Sequence, residues 1–120
     1  MSVPKDKMTF YPSKARRSKA LESWFAYYNQ AFFGNKLKPV TLYWYEFRKV
    51  NRHGVTMFDQ GTTRSTAILV NKNLKNASCY ALQTLLHEMI HMKKPRAMHG
   101  PAFHKEKLRL LKAGAYNNIV

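Results

Sequence analysis

At 120 residues, 45% of them hydrophobic, the chain has the length of one domain and the material for a single modest core. Its 21 Lys and Arg against 6 Asp and Glu give a formal net charge of +15, well beyond the roughly 2 to 8 that solubility needs, so polyanionic partners are expected, nucleic acid first among them. The lone Cys79 excludes an internal disulfide, the start MSVPKDKMTF lacks the apolar stretch of a secretory signal, and no apolar run approaches the ~20 residues of a membrane span. An intracellular, reducing location away from the membrane is the expectation.

Residues 1–19 carry Lys5, Lys7, Lys14, Arg16, Arg17 and Lys19 against Asp6, with Pro4 and Pro12 interrupting any early helix, which predicts a loose basic arm leading into the domain at 20–120. From about Ser18 to Phe33, the residues Leu21, Trp24, Phe25, Tyr28 and Phe32 recur with the spacing of a core-facing helical stripe, and Gly34-Asn35 supplies the stop. VTLYWYEF (40–47), GVTMF (54–58) and STAILVN (65–71) read as three strands of a small sheet. A second helix runs from about Ser78 through CYALQTLLHEMIHMKK, capped by Asn76 or Ser78, with Leu82, Leu85, Leu86, Met89 and Ile90 on one face and Pro95 as its end. Gly100-Pro101 opens a last helix whose inward residues are expected to be Phe103, Leu108 and Leu111. The predicted class is α+β, in the order helix, three-stranded sheet, helix, helix.

The stretch HEMIHMKKPRAMHGPAFH (87–104) holds four of the five histidines. Residues four apart on an α-helix lie about 40° apart on adjacent turns, so His87 and His91 can converge on one ion. Glu88 lies about 100° round from His87, beside such an ion, where it can serve as general base toward a water, the mechanical content of the H-E-x-x-H pattern. A catalytic zinc needs a third protein ligand and an open fourth position. Candidates are His99, His104, Glu106 and the distant His53. His99 is favoured, because the Pro95 turn can bring the chain back over the helix and Gly100-Pro101 fixes the reversal; at most one of His99, His104 and Glu106 can reach the same ion.

These residues resemble those of the SprT-like metallopeptidases, which include the DNA-dependent protease Spartan. The similarity rests on HEMIH (87–91) with HGPAF (99–103), on YNQAFFGNKL (28–37) followed by VTLYW, and on ILVN before LQTLLHEMIH, and it spans roughly residues 20 to 112. The resemblance implies a compact zincin-like fold, one Zn2+ per chain on His87, His91 and His99, Glu88 as the catalytic residue, and cleavage of proteins bound or crosslinked to DNA. It covers the catalytic domain alone, since the paired cysteines of the zinc ribbon that many relatives add are not in this sequence.

The function expected is therefore that of a zinc metalloprotease acting on a protein substrate, as a monomer. Lys93, Lys94, Arg96, Lys105, Lys107 and Arg109, with Lys112, bracket the site and are the candidate non-specific nucleic-acid contacts. An extended peptide can add to a sheet edge as a further strand, with STAILVN the expected platform, and Tyr80 and Tyr116 are candidates for stabilising the oxyanion. Two rivals share parts of this reading: a nucleic-acid-binding protein with a structural zinc, and a zinc endopeptidase acting on cell-wall peptides.

Overall fold

The computed structural model describes residues 9–49, 51–117 and 119. A 3-10 turn, Pro12–Lys14, leads into β1 (Ala15–Arg17), α1 (Lys19–Phe32), β2 (Thr41–Tyr45), β3 (Gly54–Phe58) and β4 (Ser65–Asn71). A second 3-10 turn, Lys72–Leu74, precedes α2 (Ser78–Lys93) and α3 (Pro101–Ala113). The class is α+β as expected, but the sheet has four strands in the order β1-β2-β4-β3. The extra strand comes from the stretch expected to be a loose arm. Ala15, Arg16 and Arg17 pair antiparallel with Tyr45, Trp44 and Tyr43. Residues 1–8 of that arm lie outside the described residues.

β2 and β4 run parallel, Thr41 opposite Ala67 through Tyr45 opposite Asn71. β3 returns antiparallel on the far side of β4, Gly54 opposite Val70 through Met57 opposite Ala67. STAILVN is therefore an interior strand. Ile68, Leu69 and Val70 are all fully buried, as befits a strand covered on both faces, and the edge next to the helices belongs to β3.

One face of the sheet packs on the helices. Leu42, Ile68 and Val70 meet Leu21, Phe25 and Tyr28 of α1 and Leu82, Leu85, Leu86, Met89 and Ile90 of α2 in the main core. Burying each such aliphatic side chain contributes about 1.5 to 3 kcal/mol, so α2, with its apolar face fully enclosed, is anchored by packing. The other face carries a small cluster, Tyr45, Phe47 and Leu69, with Phe10, Tyr43, Val55 and Met57 against it.

α1 begins at Ser18, whose hydroxyl accepts from the Leu21 N–H, and stops where Gly34 and Asn35 both take left-handed backbone (φ 62 and 58). Trp24, expected in the core stripe, is 44% exposed. α2 starts after Ala77 with no side-chain cap, so neither Asn76 nor Ser78 plays the capping part expected of it. On α3 the buried line is Phe103, Glu106 and Leu110, while Leu108 and Leu111 are 50% and 45% exposed. From Phe103, position 110 is about 20° off in projection and position 108 about 140°, so helical geometry selects Leu110.

Candidate metal centre

α2 presents His87 and His91 one turn apart, and the chain then reverses over them. The Lys94 N–H closes the helix on the Ile90 carbonyl, Ala97 N–H donates to Lys94 O and Gly100 N–H to Ala97 O. Within this turn Met98 adopts a left-handed conformation (φ 51), unusual for a side chain of its size. The reversal delivers His99 to the other two histidines.

The three Nε2 atoms form a nearly equilateral triangle, with His87 to His99 at 3.1 Å, His91 to His87 at 3.2 Å and His91 to His99 at 3.2 Å. Two nitrogens each about 2.0 to 2.1 Å from a tetrahedral zinc would be roughly 3.3 Å apart, so the triangle has the dimensions of one face of such a site. The imidazoles also carry the right charge. Burial, followed by the neighbouring His91, His99 and Lys107, holds His87 down to about 4, and burial with His99 lowers His91. At neutral pH both rings are uncharged and offer a lone pair, the form a metal requires. Phe103, itself buried, packs its ring against all three, with centroids 4.8, 4.9 and 5.1 Å from His87, His91 and His99.

Among the described residues, His87, His91 and His99 are the one group of three or more ligand-type side chains that could hold a metal ion. The other candidate ligands lie elsewhere. His104 is exposed and packs on the Phe103 ring at 5.8 Å. His53 is exposed just before β3. Glu106 is only 5% exposed and engaged by cations: Lys93 Nζ donates to both its oxygens at 3.1 Å, and Arg109 to them from Nε and Nη2. Burial pushes the Glu106 carboxyl up, but Arg109 and Lys93 outweigh it and leave it below the usual range.

Glu88 is also 5% exposed, turned between α2 and β3. Its Oε1 accepts a 2.8 Å hydrogen bond from the Thr56 hydroxyl. Burial raises this carboxyl to about 7, against the opposing pull of the Thr56 hydrogen bond and the charge of Arg52. Sequence reasoning missed Thr56, and the alternation of GVTMF, which turns Gly54 and Thr56 to one face, is the signal that could have suggested it.

Of the six basic residues singled out, Lys93 and Arg109 hold Glu106, and Arg109 also donates to the Phe32 carbonyl at the end of α1. Lys94, Arg96, Lys105 and Lys107, with Lys112, are exposed and form no ion pair among the described residues. Tyr116 is buried in the main core, its phenol pushed up to about 12 by burial and then by Tyr28. Tyr80 is exposed two turns before His87. Among the described residues, neither hydrogen-bonds nor stacks with His87, His91 or His99.

The profile of the SprT-like family matches residues 21–119. The chain belongs to the SprT-like family. No curated protein and no solved structure matches it. This SprT-like chain thus has a metalloprotease-like domain, with three histidines close enough to bind a metal, and none of its described helices is long and apolar enough to cross a membrane.

Proposed function

We propose that the chain is a zinc-dependent peptidase in which His87, His91 and His99 hold one zinc ion and Glu88 is the general base. The observation that carries this reading is the Nε2 triangle, with Glu88 following His87 in α2 and outside the ligand group. A structural zinc would need a fourth Cys or His to close it. None joins the three histidines among the described residues, and Cys79 sits exposed two turns before His87 on α2.

Zinc, when bound, supplies Lewis acidity toward a water and toward the scissile carbonyl. Glu88 accepts a proton from the attacking water and returns it to the leaving amine nitrogen. Burial has already brought its carboxyl to about 7, near the pH at which a base is most effective. β3 is the outer strand next to Glu88 and takes over the platform role from β4. The Asn71 N–H donates to the His53 carbonyl, and the alternation of an antiparallel ladder then turns the backbone groups of Gly54 and Thr56 toward the free edge. An extended peptide can pair there.

We also propose non-specific nucleic-acid binding through Lys94, Arg96, Lys105, Lys107 and Lys112, which would bring DNA-associated proteins to the site. The deciding experiment compares the zinc-loaded parent with Glu88→Gln on casein, on a DNA-bound protein and on a cell-wall peptide. Glu88→Gln should keep its zinc and thermal midpoint while losing about 10²- to 10⁴-fold or more in rate. Equal cleavage by both proteins would remove Glu88 from the mechanism. Cleavage of the cell-wall peptide alone would reassign the substrate, and zinc and DNA binding without cleavage of anything would leave a binding module.

A further inference from the structure

Alternation along β3 sends Val55 and Met57 to the outer cluster with Tyr45, Phe47 and Leu69, and turns Gly54 and Thr56 toward α2. Both meet Glu88. The Thr56 hydroxyl lies 2.8 Å from Glu88 Oε1 and 3.1 Å from the Glu88 carbonyl oxygen. A methyl group at Gly54 would lie 3.3 Å from Oε2, 2.6 Å from Thr84 Cγ2 and 3.0 Å from the Leu69 carbonyl, so only glycine lets β3 and α2 approach this closely.

The two carboxylate oxygens are thereby made unequal. Oε1 is tied to Thr56, while among the described residues no donor reaches Oε2. Every fully enclosed polar side-chain atom among the described residues is hydrogen-bonded, so Oε2 keeps contact with solvent. We propose that Thr56 is a positioning residue that fixes the Glu88 carboxylate by donating to Oε1, and that Gly54 keeps the Oε2 side clear to take the proton. This rests on the reading of Glu88 as general base. The same residue then serves two purposes, since its backbone faces the peptide edge and its side chain holds the base.

The test uses the full chain loaded with zinc, and Thr56→Val and Thr56→Ser beside Glu88→Gln. A hydrogen bond to a charged group is worth about 10- to 100-fold. Thr56→Val should lose that much in kcat on a peptide substrate, with KM, zinc content and thermal midpoint near the parent's, and Thr56→Ser should recover most of it. Unchanged kcat in Thr56→Val would overturn the proposal, as would equal losses in Val and Ser variants, which would mark a packing effect. A readout apart from turnover is the visible spectrum of the cobalt-substituted protein, expected to change in Thr56→Val and to return in Thr56→Ser. If the parent cleaves nothing, or Glu88→Gln cleaves as well as the parent, the base reading fails and the cobalt spectra alone decide whether Thr56 orients the carboxylate; identical spectra for parent and Thr56→Val would refute it.

Discussion

His99 depends on a turn, where His87 and His91 depend only on a helix, and this makes it the most informative ligand to remove. Its Nε2 completes a triangle of 3.1 to 3.2 Å edges, and neither His104 nor Glu106 is placed to replace it. His99→Ala should weaken zinc affinity by more than the ~10- to 100-fold that even an outer partner of a ligand contributes, while His104→Ala should bind as the parent does. Metal titration with a competing chelator measures both, and the reverse order would reassign the third ligand. Gly54 offers a second prediction, because its two nearest contacts, ahead of Glu88 Oε2, are a β-branched side chain and backbone that cannot easily move. Gly54→Ala should destabilise the fold by about 1 to 3 kcal/mol through overpacking, read as a lower denaturant midpoint, and no change would mean that α2 and β3 can part without cost.

Three elements meet at Glu106, which joins α3 to Lys93 at the end of α2 and, through Arg109, to the Phe32 carbonyl that ends α1. Because its folded carboxyl sits below the unfolded value, its contribution to stability is present above the ordinary carboxylate range and is lost as pH falls through the folded value. Glu106→Gln should therefore cost about 1 to 3 kcal/mol at pH 7, and the gap from the parent should close in acid. A gap that persists in acid would mean packing, and not charge, carries the effect. Glu106 also shows where the sequence stopped being legible. A lone glutamate among lysines looks like a ligand or a solvated residue, and only the fold reveals two cations converging on it from different helices. α2 could be read in advance because its apolar period is strong, and His87, Glu88 and His91 follow from that period alone. β1 could not, since Ala-Arg-Arg has no pattern of its own and becomes a strand only by pairing with β2. The edge was misjudged for a related reason: the near-continuous apolar run of β4 marks a covered, central strand, whereas the weaker GVTMF, half-buried throughout, is what an edge looks like.

For the molecule as a whole, charge is the dominant feature that the fold leaves unbalanced. Glu22, Glu46, Asp59 and Glu106 each pair with a cation and Glu88 is buried beside Thr56, so little acid is left to offset the remaining lysines and arginines of a +15 chain. Near the histidines this excess is local as well as global, for Lys107 adds to the burial and the neighbouring His91 and His99 that lower the His87 imidazole, and Lys94, Arg96, Lys105 and Lys112 stand exposed on the same two segments. If these five contact phosphates, counterion release gives a log–log salt slope near −4.5, and affinity for a random-sequence duplex should fall roughly 500-fold between 50 and 200 mM salt. Removing Lys105 or Lys107 should reduce the slope by about one each, with little dependence on DNA sequence. Arg109→Ala gives a built-in contrast: its guanidinium is committed to Glu106 and Phe32, so it should lower the thermal midpoint more than the slope. Exposed Lys38, on the loop before β2, tests whether position matters at all. A slope that drops equally for Lys38→Ala and Lys107→Ala would mean the whole surface attracts DNA without directing it to the histidines, and binding indifferent to salt would remove the electrostatic account altogether.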